Sequence, residues 1–199
     1  PKKIEGSYQI KAANFIACHN QAYVDKYDLI GDLKEGGSFL LNTIWTPEEL
    51  EEHLPASLKR KIAQKKAKFY TLNAVDIAKE IGLGGRINMI MQAAFFAISK
   101  IIPVDDAVKY LKDQVNKTYG AKGQDIVDMN CAAIDKGVTM IKEINVPAEW
   151  ANAVDAPVEE NKEIPEFFKN VLFKMGRQEG NDLPVSAFTG REDGSWDPS

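Results

Sequence analysis

Residues 68–82, Lys68-Phe69-Tyr70-Thr71-Leu72-Asn73-Ala74-Val75-Asp76-Ile77-Ala78-Lys79-Glu80-Ile81-Gly82, carry the reading that decides the fold. Lys68–Leu72 is rich in aromatic and β-branched side chains and reads as a strand. Asn73 follows at once, with a side chain suited to accept from the amides of a helix's first turn. Ala74–Ile81 reads as that helix, and Gly82 is the residue type that closes one. Strand and helix are joined by a single residue.

The same pattern extends upstream. Ala13–Cys18 (ANFIAC) and Ser38–Asn42 (SFLLN) are two further strand-like runs, and Gly36-Gly37 is expected to break the chain before the second. Between them lie the polar cluster His19-Asn20-Gln21 and a segment of helical spacing, Ala22–Ile30. Thr46-Pro47-Glu48-Glu49 is a helix start, with a capping hydroxyl, a first-turn proline and acids after it. A second helix is expected over Pro55–Lys66. Strand–helix repetition with short links predicts a parallel sheet covered by helices, and continuous apolar strands fit burial on both faces. The expected fold class is α/β: a Rossmann-like three-layer domain with a mainly parallel sheet, a helical C-terminal part and an extended tail. In that helical part, Asn88–Lys100 is nearly all apolar and reads as a core helix. Val104–Lys117 and Lys122–Ile144 read as amphipathic helices, the latter with a stripe of Ile126, Met129, Ala133, Val138 and Ile141. Pro147 and Trp150 close the compact part. Ala151–Pro165 reads as a linker, Glu166–Gln178 as one more short helix, and 180–199 has no periodicity.

The chain has 199 residues, a formal charge of −4, 44% hydrophobic residues and 27% charged residues. These values describe an ordinary folded domain, not a disordered chain. No apolar run approaches the ~18 residues of a membrane span, and Pro1–Gly6 lacks the apolar core of a signal peptide. Two cysteines, Cys18 and Cys131, cannot frame a disulfide scaffold or an iron–sulfur site, and a reducing, cytoplasmic setting is expected. The charge is uneven. Residues 1–142 carry 20 Lys/Arg against 17 Asp/Glu, and residues 143–199 carry 5 against 12. An anionic ligand therefore belongs to the body, while the mild acidic total argues against nucleic acid.

Gly82-Leu83-Gly84-Gly85-Arg86-Ile87-Asn88 is the strongest local feature. Three glycines in four residues permit positive φ and close approach of backbone to a ligand. Amides at a helix start can then face an anion, Arg86 can add a bidentate phosphate contact, and Asn88 can cap the helix or bond a ligand. The competing reading is a helix C-cap and a tight turn, with Arg86 in solvent. Cys18-His19-Asn20 ends a strand, where open parallel sheets bind ligands. Adjacent side chains on a strand point to opposite faces, so Cys18 and His19 make a poor nucleophile–base pair. His19 and Asn20 remain candidates for a cleft rim, and Asn42 either lines the same crevice or forms a turn. Residues 56–68 hold Lys59, Arg60, Lys61, Lys65, Lys66 and Lys68 with no acid, which reads as a solvated face or an anion-steering patch. No metal-ligand spacing, GxSxG, Walker A or GDG…N segment is present. The chain alone reads as a binding or scaffolding domain.

Several segments together carry a family resemblance: Phe15–Asn20 (FIACHN) with Tyr23 and Tyr27-Asp28, Gly36–Asn42 (GGSFLLN) with Trp45, Leu54-Pro55, Lys68–Tyr70, Ile81–Gln92 (IGLGGRINMIMQ), Lys117–Val127 (KTYGAKGQDIV) with Met129-Asn130, Val146-Pro147 with Trp150, and Leu183–Phe188 (LPVSAF). In order and spacing they resemble the pyruvate:ferredoxin (flavodoxin) oxidoreductase family, specifically its third, gamma-type domain. The resemblance implies residues 1–150 as that domain without its N-terminal glycine-rich strand unit. It implies 151–199 as linker and start of the next domain, stopping before the family's EKR-containing segment. An uncovered sheet edge and self-association would follow.

It further implies an enzyme that makes acetyl-CoA from pyruvate and coenzyme A, with ferredoxin or flavodoxin as electron acceptor. Thiamine pyrophosphate, Mg and [4Fe-4S] clusters would be held outside this chain, in a cytoplasmic homodimer. Carried over by motif, Arg86 and Asn88 resemble the family's coenzyme A contacts, with Gly84 and Gly85 giving close backbone approach and Asn20 and Asn42 nearby. No catalytic or metal-ligating residue is carried over, and the isolated chain is expected to be inactive. A purely structural inter-domain scaffold and an unrelated nucleotide-binding module are the alternative readings.

Overall fold

The computed structural model describes residues 10–155, 164–176, 179–191 and 193–194. Four strands, β1 (Ala13–Cys18), β2 (Leu33–Asn42), β3 (Lys68–Leu72) and β4 (Lys142–Ile144), form one sheet in the order β1-β2-β3-β4. The first three are parallel, and β4 runs antiparallel to β3. The mainly parallel sheet expected from the strand–helix alternation is therefore present.

Side-chain alternation along β2 and β3 builds two cores. Phe39, Leu41 and Phe69 face one way, where α1 (Leu50–His53), α2 (Ala56–Gln64) and Trp150 cover them. Leu40, Leu72 and Tyr70 face the other way, onto α3 (Ala74–Glu80), α4 (Asn88–Ser99) and α6 (Gln124–Thr139). A third cluster joins α4 and α6 to α5 (Val104–Tyr119) through Ala93, Val115, Val127 and Ile134. Sheet and flanking helices make three layers.

Local chemistry starts and stops these elements as expected at several points. Thr46 and Glu49 form a capping box ahead of α1: the Thr46 N–H donates to Glu49 Oε2 (2.8 Å) and the Glu49 N–H to Thr46 Oγ1 (3.4 Å). Asn73 Oδ1 accepts from the Asp76 N–H at 3.0 Å. Gly82, at φ +84°, ends α3 in a Schellman pattern, with the Leu83 N–H donating to Ala78 O and the Gly82 N–H to Lys79 O.

Three expectations are corrected. Ala22–Ile30 is not a helix. A 3-10 turn over Gln21–Tyr23 leads into turns, and Val24 and Ile30 are the buried core residues of this segment. Those two residues are six apart, a spacing that one helical face does not bury. Gly36-Gly37 does not interrupt the second strand: β2 runs through both glycines. Pairing with β1 jumps from Ala13↔Leu33 to Phe15↔Ser38, so the extra residues bulge outward with Gly36 at φ +70°. The last amphipathic helix stops at Thr139 and not at Ile144, because Lys142–Ile144 is β4. Its apolar residues change period there: Ile141 packs on the α3–α4–α6 side and Ile144 on the other.

Beyond Trp150, residues 166–176 are helical, including a π-helical stretch over Phe168–Leu172 and α7 (Phe173–Gly176). That agrees with the short helix expected from Glu166, whose last residues, 177–178, lie outside the described ones. Most of the expected linker, residues 156–163, also lies outside them. Among the described residues, no helix is long and apolar enough to cross a membrane.

Candidate functional site

The carboxyl ends of β1 and β2 meet the start of α3 and the glycine segment before α4. Between them lies a cleft of about 310 Å³, lined by His19, Asn20, Gln21, Asn42, Thr43, Ile44, Val75, Gly85 and Ile87. Four of the expected site residues, His19, Asn20, Asn42 and Gly85, thus come together from three separate stretches of chain. The place is the one where open parallel sheets receive ligands, outside the ends of their strands.

The wall of this cleft is a hydrogen-bonded lattice. Asn42 is buried and fully engaged: its Nδ2 donates to His19 O (2.9 Å) and its Oδ1 accepts from the Ala74 N–H (2.9 Å). One side chain therefore ties the ends of β1 and β2 to the first residue of α3. Asn20 caps the turn after β1, its Oδ1 accepting from the Ala22 N–H at 3.0 Å. Gln21 Oε1 accepts twice, from Thr43 Oγ1 (2.7 Å) and from the Ile44 N–H (3.0 Å). Thr43 Oγ1 in turn accepts from the Trp45 N–H at 3.1 Å. Of these residues Gln21 and Thr43 were not singled out from sequence. A polar cluster at a strand end was visible there, but the bonds that organise it join residues more than twenty apart.

Removing the Asn42 carboxamide leaves the Ala74 N–H and His19 O without their partners. Asn42→Leu is expected to lose about 3 kcal/mol of stability, at roughly 1–3 kcal/mol per buried polar group left unsatisfied. Urea unfolding of the two proteins compares them directly.

Arg86 and Asn88 sit apart from the cleft's lining. Both are exposed, although Gly85 and Ile87 beside them line it. Asn88 is the first residue of α4, Ile87 holds the cap position, and no side chain caps this helix. The capping role considered for Asn88 is therefore not realised. Gly84 requires its glycine for φ +63°, whereas Gly85 has ordinary φ and open space where a Cβ would stand.

The basic run is not a free anion patch. Lys59 pairs with Glu51 (2.7 Å), Arg60 with Asp155 (2.6 Å), Lys61 with Asp28 (2.5 Å) and Lys66 with Glu35 (2.7 Å). Lys65 donates to Gly31 O (2.8 Å) and Leu33 O (2.6 Å). Five of its six cations serve intramolecular contacts, and their acids come from distant segments.

Burial pushes the Cys18 thiol up, and its Sγ–H is directed to Asn20 O (3.1 Å). Burial also raises Cys131, which packs with a different core. Both lack the thiolate character of a nucleophile. Among the described residues no group of three or more His, Cys, Asp and Glu is placed to hold a metal ion.

Comparison with known proteins is consistent with this architecture. The family model for pyruvate ferredoxin/flavodoxin oxidoreductase matches residues 1–140. A second, called EKR and described as a domain of unknown function, matches residues 153–199. The chain is 52% identical over 186 residues to a pyruvate:ferredoxin oxidoreductase of Moorella thermoacetica, covering 94% of this chain and 16% of that protein. It is 48% identical over 195 residues to a pyruvate-flavodoxin oxidoreductase of Klebsiella pneumoniae, covering 98% and 17%. The chain thus spans about a sixth of the length of these relatives. Among solved structures, the PORC subunit of Thermotoga maritima pyruvate oxidoreductase matches with a TM-score of 0.53 and 19% identity, covering 67% of this chain and 66% of that one, a likeness of fold. With a family model covering most of the sheet and its helices, and with relatives at about half identity along almost the entire length, the chain belongs to the pyruvate ferredoxin/flavodoxin oxidoreductase family.

Proposed function

We propose that this chain is the coenzyme A-binding and domain-packing part of an enzyme that oxidises pyruvate to acetyl-CoA and passes the electrons to ferredoxin or flavodoxin. The observation that carries the reading is the polar cleft at the ends of β1 and β2, with the glycine segment on its rim. Gly85 leaves room for a ligand to approach the backbone, and Arg86 extends from the next position into solvent, where a phosphate group is reached without desolvating a buried charge. In this reading His19, Asn20 and Asn42 shape the wall, and Arg86 and Asn88 engage the ligand from outside it. The chain's own contribution is positioning: it orients the thiol-bearing ligand towards a reacting centre held elsewhere. Thiamine pyrophosphate, Mg and [4Fe-4S] clusters supply decarboxylation and electron transfer from other parts of the enzyme. The neighbouring domains of a cytoplasmic homodimer are the remaining partners.

The test is Arg86→Ala in the full-length enzyme. The loss of one charge-assisted contact to phosphate is expected to raise KM for coenzyme A about tenfold or more, with a much smaller change in kcat. An unchanged KM removes Arg86 from the site.

A purely structural scaffold is the second reading, favoured by the exposure of Arg86 and Asn88 away from the cleft lining. Deleting the domain with assembly intact and coenzyme A dependence undiminished would rule out both roles. The third alternative, an unrelated nucleotide-binding module, is set aside by family membership.

A further inference from the structure

The three carboxamides of the cleft share one property. Each has its acceptor oxygen taken by a protein donor: Asn20 Oδ1 by the Ala22 N–H, Gln21 Oε1 by Thr43 Oγ1 and the Ile44 N–H, and Asn42 Oδ1 by the Ala74 N–H. A backbone N–H can only donate, so each of these contacts fixes which end of the carboxamide is oxygen. The amide nitrogens are consequently held on the other side. Asn42 Nδ2 spends a proton on His19 O. Asn20 Nδ2 and Gln21 Nε2 donate to no group among the described residues, and both residues line the cleft. Gln21 is held most firmly. The relay from the Trp45 N–H through Thr43 Oγ1 to Gln21 Oε1, with Ile44 as second donor, prevents the amide from flipping without breaking two bonds.

We infer that Gln21, assisted by Asn20, sets oriented N–H donors on the wall of this cleft that select a ligand's acceptor oxygens, carbonyl or phosphoryl, over donor groups at the same position. The inference rests on the proposed ligand-binding reading of this cleft and assigns a specificity-determining residue to it. Chemically it is a one-sided complementarity. A ligand oxygen meets oriented N–H groups whose geometry is set before binding. A ligand N–H or O–H at the same position would face the Gln21 donor while Gln21 Oε1 already accepts twice, an unpaired contact that costs affinity.

The discriminating substitution is Gln21→Glu in the full-length enzyme. Glutamate keeps an oxygen for Thr43 and Ile44 but replaces the Nε2 donor with a second acceptor. Asn20→Asp does the same for Asn20 while preserving the turn cap. Gln21→Glu is expected to raise KM for coenzyme A about tenfold or more, since an attractive contact becomes a repulsive one. The thermal midpoint should stay within a few degrees of the parent, a result that a merely structural role would not give together with the KM change. Asn20→Asp should move KM in the same direction by less. Pantetheine and inorganic pyrophosphate, as competitors against coenzyme A, separate the two sources of oxygen. Weakened inhibition by pantetheine assigns a carbonyl, and weakened inhibition by pyrophosphate assigns a phosphoryl group. Unchanged KM in both carboxylate variants, with KM raised in Arg86→Ala, overturns the inference and leaves the binding reading standing. Unchanged KM in all three variants overturns both. If Gln21→Glu fails to fold, Asn20→Asp carries the test alone, with the same pair of outcomes.

Discussion

Replacing Trp150 with alanine is expected to cost about 4 kcal/mol of stability, at the scale of large aromatic truncations in a packed core. Trp150 is almost fully buried although it follows the last strand. Its ring packs 6.2 Å from that of Phe69, the centre of one sheet face, and the Lys59 ammonium stands 5.9 Å from its centroid. Its Nε1–H donates to Glu51. The indole therefore fastens the end of the compact domain to β3, α1 and α2 together. Trp150→Phe should recover part of the loss, since one aromatic ring remains in the core while the rest of the indole volume and the N–H bond, worth about 1 kcal/mol net, are lost. Denaturant midpoints of the three proteins test the ranking.

Glu51 adds an acid-sensitive component to the same joint. Hydrogen bonds from Lys59 and from Trp150 hold its carboxyl below the usual range. Its contribution is thus present above the unfolded value, near pH 4.3, and disappears as pH falls through the lower folded value. The Glu51 side chain is 58% exposed, so solvent screening keeps this component small beside the apolar one.

The second large effect is expected at Gly137. It lies inside α6, where replacing glycine by alanine ordinarily gains about 1 kcal/mol of helix propensity. Here the sign should reverse. A Cβ at this position would stand 2.9 Å from the Ala93 Cβ and 3.0 Å from the Ile90 Cα, and closer still to the Ile90 carbonyl oxygen. Those are largely backbone atoms of α4, which cannot yield as the end of a flexible side chain can. α4 and α6 would have to move apart, at a cost of typically 1–3 kcal/mol for an overpacked core. Gly137→Ala is expected to lose about 2 kcal/mol net, and Gly137→Leu should not fold. Thermal unfolding of Gly137→Ala beside an exposed-site control decides between propensity and packing.

Much of the architecture could be read from local signals because local chemistry sets it. β1, β3 and the start of α3 fall where strand-forming runs, Asn73 and Gly82 put them. What escaped was set by distant partners. Gly36-Gly37 reads as a stop, yet the bulge exists only because β1 pairs on both sides of it. Lys142–Ile144 continues a helical stripe, and only the free edge of β3 turns it into a strand. The basic run over residues 56–68 looks like a field for anions because its acids, Glu35, Asp28, Glu51 and Asp155, belong to other segments. Gly137 looks like a weak point in a helix and is a point of contact.

The candidate site divides in the same way. His19, Asn20, Asn42 and Gly85 were legible because strand ends and glycine turns are where such folds bind. Gln21 was not, since its meaning lies in the Thr43 hydroxyl and the Ile44 N–H that donate to its oxygen.

The antiparallel strand also bears on the order in which this chain assembles. Phe69↔Ile144, Tyr70↔Glu143 and Thr71↔Lys142 close a loop that contains α3, α4, α5 and α6 in full. Three residue pairs repay little of the entropy of so long a closure. The pairing becomes favourable once the helices have docked on the sheet and brought β4 to its place. Contacts of that sequence separation form late and slow a chain down. β4 is thus the latch of the domain, and exchange of the β4 amides that donate to β3 reports whether the whole helical layer is closed.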